Sequence, residues 1–217
     1  MQFYLVGGAV RDKILKIESK DKDFVVVNGS VEEMVALGYK QVGKSFPVFI
    51  DPTTGFEYAL ARKERKINIG HKGFEFVFTK DTTLIEDLSR RDLTINAIAE
   101  DKNGKLIDPF DGVTDIKNKV LRHVSDAFIE DPLRLFRVAR FSATLNFKVH
   151  PETEILLKNI VNSKELLFLS KYRICSEFIK AVNSKNLINF FEILTKCGAL
   201  HQLIGTHRKI NKIINDN

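Results

Sequence analysis

The most restrictive feature of this sequence is a run of valines that begins directly after two aspartates. Val25, Val26 and Val27 are typical of a buried strand, and Asp21 and Asp23 stand one residue apart just before them. Because successive side chains of a strand alternate between its two faces, both carboxylates are predicted to point the same way. The chain must therefore fold so that a buried strand begins where two like charges are tolerated.

Two carboxylates on one face repel each other unless a cation neutralises them. Mg²⁺ suits such a pair, because it takes one or two carboxylates and completes its shell with water and phosphate oxygens. Glu57, in the strand-like stretch GFEYALA, could supply a third carboxylate to the same cluster. A lone D-x-D pair is more often a solvated strand start, so the metal interpretation depends on the neighbouring sequence.

A glycine pair upstream favours phosphate binding. Gly7 and Gly8 follow the strand-like stretch QFYLV and precede a helix-like stretch, where free backbone N–H groups and the helix dipole can receive phosphate. Arg11 adds a guanidinium on the first helical turn. The stretch has neither the glycine spacing of a dinucleotide-binding fold nor the lysine of a P-loop. A glycine pair, a spacer and a D-x-D together resemble the signature of DNA polymerase β-like nucleotidyltransferases, in which two metal ions hold the attacking hydroxyl and the departing pyrophosphate.

A second constellation lies at residues 129–141, IEDPLRLFRVARF. Asp131, Arg134, Arg137 and Arg140 recur every third residue, and on a helix they form a slowly winding polar stripe. A carboxylate accepts hydrogen bonds and a guanidinium donates them, so Asp131 and Arg134 match the amino donor and ring-nitrogen acceptor of cytosine and adenine. Uracil and guanine present the opposite pattern and would be rejected. Taken alone, the stripe is more typical of a solvated helix face that carries ordinary ion pairs.

Several motifs together resemble one enzyme family. YLVGGAVRD with DKDFVVV is similar to the catalytic motif of class II tRNA nucleotidyltransferases, the CCA-adding enzymes, and of their relatives, the bacterial poly(A) polymerases. RRDLTINA resembles the ribose-reading motif of that family, EDPLRLFRVARF its amino-acid template, and DPFDG the segment between them. EYALARKERK and GKSFPVF resemble the CCA-adding enzymes of Gram-negative bacteria in particular.

The resemblance implies roles for the matching residues. Asp21 and Asp23 would ligate Mg²⁺. Glu57, predicted from its own strand rather than from the resemblance, would be a third catalytic carboxylate. Asp92 would read the ribose hydroxyl, which favours ribonucleotides. The residues predicted to bind nucleotide are Gly8, Arg11, Arg91, Asp92, Asp131, Arg134, Arg137 and Arg140.

Within that set the resemblance divides the tasks. Gly8 and Arg11 would hold the triphosphate, and Asp131 with Arg134 would pair with the base. Arg137 and Arg140 would bind nucleotide phosphate or ribose. The basic stretch RKERKINIGHK, residues 62–72, resembles the loop that the family uses between C addition and A addition, although a solvated surface loop is an equal alternative.

The implied fold class is α+β, with a polymerase β-like nucleotidyltransferase head, built of a mixed sheet with helices, followed by an all-helical neck and body. Strand-like and helix-like stretches alternate over residues 1–124, which we predict to be the catalytic head. Residues 125–217 carry four stretches of helical periodicity and are predicted to form the neck and body with the base-selecting helix. Pro132 and Pro151 mark the starts of the first two.

The predicted function is template-independent addition of C, C and A to the 3′ end of tRNA, from CTP and ATP, by two-metal in-line nucleotidyl transfer. A net charge of +6 favours such an anionic partner. The alternatives are a related RNA nucleotidyltransferase, namely a CC-adding enzyme, an A-adding enzyme or a poly(A) polymerase, and a catalytically inactive RNA-binding relative. The sequence leaves the oligomeric state open.

The remaining features concern location and missing activities. Cys175 and Cys197 have neither the pattern of a disulfide framework nor that of a metal site, and the sequence shows no leader and no membrane-length apolar run. We therefore expect a cytoplasmic protein without a membrane partner. No His-Asp dipeptide occurs in the sequence, so the phosphohydrolase domain of the Gram-negative group is not expected here.

Overall fold

A computed structural model describes residues 1–19, 21–42, 47–66, 74–77 and 79–203, with the backbone alone for residues 64–66 and 74–77. The described chain divides into two compact units. The first unit contains described residues of 1–66, 74–118 and 123–126, and the second contains those of 119–122 and 127–203. Because the units alternate along residues 119–126, the predicted division at residues 124 and 125 stays a prediction.

The first unit is built on a mixed sheet. Its described strands are β1 (Gln2–Val6), β2 (Asp23–Val27), β3 (Lys40–Val42), β4 (Val48–Ile50), β5 (Glu57–Leu60), β6 (Lys63–Lys66), β7 (Phe74–Val77), β8 (Ala99–Glu100) and β9 (Leu106–Ile107). Seven of them form one sheet in the order β3-β4-β5-β2-β1-β8-β9, and β6 pairs with β7 separately. β2 and β5 run parallel, whereas every other neighbouring pair in this sheet is antiparallel.

Short helices connect these strands. They are α1 (Gly8–Ile14), α2 (Val31–Ala36), α3 (Leu84–Ser89) and α4 (Gly112–Asn118), with a 3₁₀ helix at Thr94–Asn96. Capping boxes begin α2 and α3, where Ser30 and Thr83 accept hydrogen bonds from the backbone of Glu33 and Glu86. Each such cap contributes about 1 kcal/mol, which helps helices of only six residues to form.

The start of α4 holds the 3₁₀ helix in place. Asp108 accepts hydrogen bonds from the backbone N–H groups of Gly112 and Val113, both at 2.8 Å. A Cβ at position 112 would lie 2.2 Å from the Thr94 carbonyl oxygen, so only glycine allows this close approach. Asp115 of α4 accepts a hydrogen bond from the Thr94 hydroxyl at 2.7 Å, inside the unit. The DPFDG motif therefore fixes the backbone that carries the RRDLTINA motif.

The second unit is helical apart from one short parallel pair of strands, β10 (Val120–Leu121) and β11 (Lys148–Val149). Its helices are α5 (Leu133–Leu145), α6 (Pro151–Asn162), α7 (Lys171–Val182) and α8 (Leu187–Lys196), with 3₁₀ helices at Asp126–Glu130 and Glu165–Phe168. Helix α5 packs against α7 and α8. Its apolar face, including Leu135, Phe136 and Val138, is almost completely buried.

The predicted α+β class, with a mixed sheet and helices followed by a helical region, is confirmed. β11 modifies the expectation that residues 125–217 are helical throughout. Across the part of the chain that is described, no helix has both the length and the apolar character that crossing a bilayer requires.

Replacing Gly112 with alanine should destabilise the protein, because the new methyl group would collide with the Thr94 carbonyl oxygen. We expect a loss of about 2 kcal/mol or more in the free energy of unfolding, measured with urea. Thr114→Ala is the matched control, since it changes an exposed residue of the same helix and should cost less than about 0.5 kcal/mol. Equal stability of the two variants would contradict the close packing of α4 on the 3₁₀ helix.

Candidate functional site

The candidate site lies at the end of the sheet where β2 begins. Asp23 pairs with Val6 of β1 and with Glu57 of β5. Because residues in register on parallel strands point to the same face, the side chains of Asp23 and Glu57 lie on one side of the sheet. An open pocket of about 380 Å³ is lined by both residues and by Asp21.

Asp21 lies before the strand rather than on it, since β2 begins at Asp23. This corrects the prediction that both aspartates belong to one strand. The pairing nevertheless continues one residue further, because the Glu57 N–H donates to the Lys22 carbonyl oxygen at 3.3 Å. The backbone of β5 therefore guides Asp21 into the same pocket.

Like charges meet in this pocket. Asp23 is an exposed residue, yet desolvation by the protein atoms around its carboxyl group raises its pKa above the ordinary 3.8. The Arg91 guanidinium lowers this pKa, and the Asp21 carboxylate raises it. A divalent cation would relieve the repulsion, because it favours the ionised form of both carboxylates.

The carboxylates of Asp21 and Asp23 fit a cation whose remaining ligands come from water and a bound substrate. Among the described residues, no three His, Cys, Asp or Glu side chains converge on one metal position. Glu57 therefore shares the pocket with the aspartates but does not complete a three-residue cluster. Two carboxylates still match the way Mg²⁺ binds, since this ion keeps several waters and takes phosphate oxygens from its substrate.

The glycine turn lies beside the carboxylates. β1 ends at Val6, opposite Asp23, and Gly7 then turns the chain into α1 with a φ of 70°. A Cβ at position 7 would lie 3.0 Å from Nη1 of Arg91, and one at Gly8 would lie 3.5 Å from Nη2 of Arg11. The absence of a side chain at Gly7 thus leaves room for the Arg91 guanidinium.

Asp87 holds Arg91 in this position. The Asp87 carboxylate is fully buried, and its Oδ2 accepts from Arg91 Nη2 at 3.1 Å while its Oδ1 accepts from Arg90 Nη2 at 2.7 Å. Burial raises the pKa of Asp87, but the two guanidinium groups outweigh this effect and the net pKa lies below its ordinary value. Nε of Arg91 is buried and makes no hydrogen bond within the described part of the chain. Sequence reasoning missed Asp87, although its i, i+4 spacing to Arg91 was a usable signal.

Asp92 and Arg11 meet through Asn96, which sequence reasoning also missed. Asp92 is buried, and its Oδ1 accepts from the Leu93 N–H at 2.8 Å and from Asn96 Nδ2 at 3.0 Å. Oδ1 of Asn96 accepts from Arg11 Nη1 at 2.6 Å. The structure therefore brings together the residues predicted to hold the triphosphate and to read the ribose.

The predicted base readers lie in the second unit. Asp131 precedes Pro132, the cap of α5, and so is not on the helix as predicted. Its Oδ1 accepts from the Leu133 N–H and its Oδ2 from Arg173 Nη2, both at 3.1 Å. Arg134 is buried and donates to the Ala127 carbonyl oxygen at 3.1 Å. Both side chains are therefore held by neighbours inside their own unit.

Arg140 has a structural partner. Its Nε donates to the buried Glu177 carboxylate of α7, and its guanidinium carbon lies 3.8 Å from the centre of the Phe141 ring. The guanidinium carbon of Arg137 lies 5.7 Å from the centre of the same ring. Sequence reasoning missed Glu177, which lies 37 residues away from Arg140. The nucleotide-binding roles of Arg137 and Arg140 stay predictions.

The predicted basic segment at 62–72 is described only as far as Lys66. The Arg62 N–H donates to Asp87 Oδ1 at 3.3 Å, and Lys63 Nζ lies 2.7 Å from Glu86 Oε1. Helix α3 therefore holds the beginning of this segment. Residues 67–72 lie outside the described residues.

Breaking the Arg140–Glu177 pair should destabilise the protein. Arg140→Met leaves a buried carboxylate without its main partner, and we expect it to cost about 3–5 kcal/mol in urea unfolding. The double variant Arg140→Met with Glu177→Leu should recover most of that loss, because no buried charge remains. Lys196→Met is the control, since Lys196 is exposed and its partner Glu154 is only partly buried, so their pair should contribute less than about 1 kcal/mol. A double variant no more stable than Arg140→Met would contradict this account.

Comparison with known proteins decides the family. Residues 3–122 match the model of the poly(A) polymerase head domain, and this range covers more than half of the chain. The chain belongs to this family. The curated "Multifunctional CCA protein" of Shewanella frigidimarina is 58% identical to this chain over 203 residues. The match covers 92% of this chain and 49% of the relative, so the chain spans about half the length of the curated relatives it matches.

Solved structures resemble this chain over most of its length. A "tRNA-processing enzyme with CTP" is 34% identical with a TM-score of 0.73, and the match covers 93% of this chain and 54% of that one. A tRNA nucleotidyltransferase complexed with a primer tRNA and an incoming ATP analogue is also 34% identical, with a TM-score of 0.72 and coverage of 94% and 59%. The described fold is thus shared with enzymes whose names refer to tRNA.

Proposed function

We propose that the chain performs nucleotide transfer as a CCA-adding tRNA nucleotidyltransferase, with CTP and ATP as substrates and the 3′ end of tRNA as acceptor. The observation that carries the proposal is the meeting of Asp21 and Asp23 with the Gly7 turn and Arg91 at one end of the sheet. Carboxylates for a metal ion next to cations for phosphate are what phosphoryl transfer requires. The names of similar proteins, which refer to CCA, CTP and primer tRNA, support the choice of substrates.

The proposed site divides the work between its residues. Asp21 and Asp23 would hold Mg²⁺, which when bound would supply positive charge beside the attacking 3′ hydroxyl and the phosphates. Arg11 and Arg91 donate hydrogen bonds to the triphosphate beside the glycine turn. The 3′ hydroxyl of the acceptor gives up its proton to water as its oxygen forms a bond to the α-phosphorus, and the bond from that phosphorus to the departing pyrophosphate breaks. Asp92 accepts a hydrogen bond from a ribose hydroxyl and so selects ribonucleotides.

Asp131 and Arg134 select the base in this proposal. Arg173 and the Leu133 N–H orient the Asp131 carboxylate, and the Ala127 carbonyl orients the Arg134 guanidinium. A carboxylate has about four acceptor positions and a guanidinium five donors, so each group can hold a base edge in addition to its structural partner. Groups held in one orientation reject a mismatched base more strongly than mobile ones.

Poly(A) synthesis is the second candidate, because the matching family model is named for the poly(A) polymerase head domain. The two activities differ in the nucleotide they accept, since a poly(A) polymerase must exclude C. An assay with tRNA that lacks its CCA end and with each of the four nucleotides separates them. A finite C-C-A product supports the proposal, and a long A ladder supports the second candidate.

Three further proposals concern the domain boundary, the cellular location and the metal cofactor. The catalytic head occupies residues 1–124 and the helical neck and body residues 125–217. The protein works in the cytoplasm, since Cys175 and Cys197 are both free thiols and suit a reducing compartment. Mg²⁺ is the metal cofactor.

Asp23→Asn should abolish transfer while the fold stays intact, because it removes one metal ligand without changing the size of the side chain. We expect a fall in rate of roughly a thousandfold or more, measured as incorporation of labelled CTP into tRNA. Asp81→Asn is the matched control, since it removes the charge of an exposed aspartate of the same unit. Wild-type rates in Asp23→Asn at any Mg²⁺ concentration would contradict the metal assignment.

Asp23→Asn should also change the melting temperature of the protein. Since the folded-state pKa of Asp23 is raised, its ionised form opposes folding above that pKa, and the cost disappears as the pH falls towards 3.8. Without metal, Asp23→Asn should therefore melt at a higher temperature than the wild type at pH 7 and at the same temperature near pH 3.8. Added Mg²⁺ should raise the melting temperature of the wild type much more than that of the variant. An equal response of both proteins to Mg²⁺ would count against a metal site at Asp23.

Asp131→Asn should relax the choice of base. The amide keeps an acceptor for the Leu133 N–H but loses the charge that reads the amino group of C and A. We expect discrimination against UTP and GTP to fall roughly ten- to a hundredfold, measured as ratios of kcat/KM. Arg173→Ala removes one of the two partners that orient the Asp131 carboxylate but leaves its charge in place, so it should lower the discrimination less than Asp131→Asn does. If the ratios of kcat/KM stay unchanged in Asp131→Asn, Asp131 has only a structural role.

A further inference from the structure

Asn96 joins two functional residues that come from separate parts of the first unit. Arg11 lies on α1, 85 residues away from Asn96 in the sequence, and Asp92 lies just before the 3₁₀ helix. The Asn96 side chain accepts from Arg11 at 2.6 Å and donates to Asp92 at 3.0 Å. We propose that Asn96 is a positioning residue that sets ribonucleotide selection by holding Asp92, and triphosphate binding by holding Arg11. This inference rests on the proposed nucleotide-binding roles of Arg11 and Asp92.

The amide of Asn96 can serve both neighbours in only one orientation. Its carbonyl oxygen faces a guanidinium, which only donates, and its NH₂ group faces a carboxylate, which only accepts. Turning the amide over would place donor against donor and acceptor against acceptor. Since Asn96 is buried, such mismatched groups would have little access to water and the reversed orientation would be costly.

A neutral amide at this position keeps two opposite charges apart. Without it, Arg11 and Asp92 could pair directly, and each would then offer fewer hydrogen bonds to a ligand. Both bonds that Asp92 makes with Asn96 and the Leu93 N–H go to Oδ1, and together they set the direction of its second oxygen. Asp12 also holds Arg11, since its Oδ1 accepts from Nε at 2.9 Å and lies 2.7 Å from Nη2. Asn96 therefore fixes the aim of Asp92 and the direction of Nη1 of Arg11.

The backbone that carries Asn96 is itself held in place. The 3₁₀ helix at Thr94–Asn96 is bonded to Asp115 and lies directly against Gly112. Nη1 of Arg91 donates a hydrogen bond to the backbone carbonyl oxygen of Asn96 at 3.5 Å. A side chain anchored in this way can orient its partners before a nucleotide arrives, which lowers the cost of binding.

Two substitutions separate the two contacts. Asn96→Asp keeps an acceptor for Arg11 but turns an oxygen towards Asp92, so it should push the Asp92 carboxylate away. Asn96→Ser is too short to reach either neighbour and removes both contacts without adding charge. Asn103→Asp is the matched control, because it makes the same chemical change at an exposed position of the same unit.

The experiment measures equilibrium binding of CTP and dCTP to the full chain, together with the rate of C addition from each. Asn96→Asp should lower the preference for CTP over dCTP by roughly tenfold or more, as expected for losing one charge-assisted hydrogen bond, while its affinity for dCTP changes little. Asn96→Ser should lower the preference and also weaken binding of both nucleotides. Asn103→Asp should behave like the wild type in both measurements.

A wild-type preference for CTP in Asn96→Asp would overturn the inference. Should that variant fail to fold, as judged by circular dichroism, Asn96→Ser decides, and an unchanged preference in it would overturn the inference equally. Asp92→Ala separates this failure from failure of the proposed function. If Asp92→Ala loses the preference and the Asn96 variants keep it, only the positioning role is wrong; if Asp92→Ala keeps it, the ribose-reading role of Asp92 is wrong.

Discussion

The pairing register of β2 is the constraint on which the candidate site depends. Val25 and Val26 are both almost fully buried, one on each face of the strand. A slip of one residue would exchange the faces of every side chain in β2, turning Asp23 away from Glu57. A slip in one direction would also place the larger Phe24 in the fully buried position of Val25, so packing in the apolar core helps to determine where the charged residues lie. The site therefore needs no separate device to align its strands.

Buried carboxylates orient arginines in each of the two units. In the first unit Asp87 holds Arg90 and Arg91, and in the second Glu177 holds Arg140. Each pair orients a guanidinium that would otherwise be long and mobile, at the cost of burying an acidic group. Arg11 is held both by the Asp12 carboxylate and by the neutral side chain of Asn96. The arginines nearest the Gly7 turn are thus set before any ligand binds.

Local sequence patterns predicted the elements of this fold better than the contacts between them. The valine run, the glycine turn and the hairpin around DPTTG follow from alternation and turn residues, and β1, β2, β4 and β5 lie where these patterns place them. The spacing of every third residue counted Asp131 with the helix although Pro132 marks the helix start, and Asp131 lies before that cap. α4 escaped prediction, since GVTDIKN is short and only weakly periodic.

The partners of the candidate residues were the least predictable. Arg173 lies 42 residues from Asp131, and Asn96 lies 85 residues from Arg11, so no local pattern connects them. The types and positions of the reactive residues could thus be read from motifs, whereas their orientation depends on long-range contacts. Local sequence patterns therefore cannot predict how these side chains are oriented.

The distance along the chain between Arg11 and Asn96 also governs when the site can form. β1 pairs with β8, about one hundred residues later, through Leu5 and Glu100. Closing so long a loop is entropically costly and slow compared with forming the local hairpin of β4 and β5. During synthesis the glycine turn and the aspartates leave the ribosome long before RRDLTINA does. A nascent chain therefore carries the carboxylates early but acquires the groups that orient them only after residue 100, so that assembly of the site is a late step of folding.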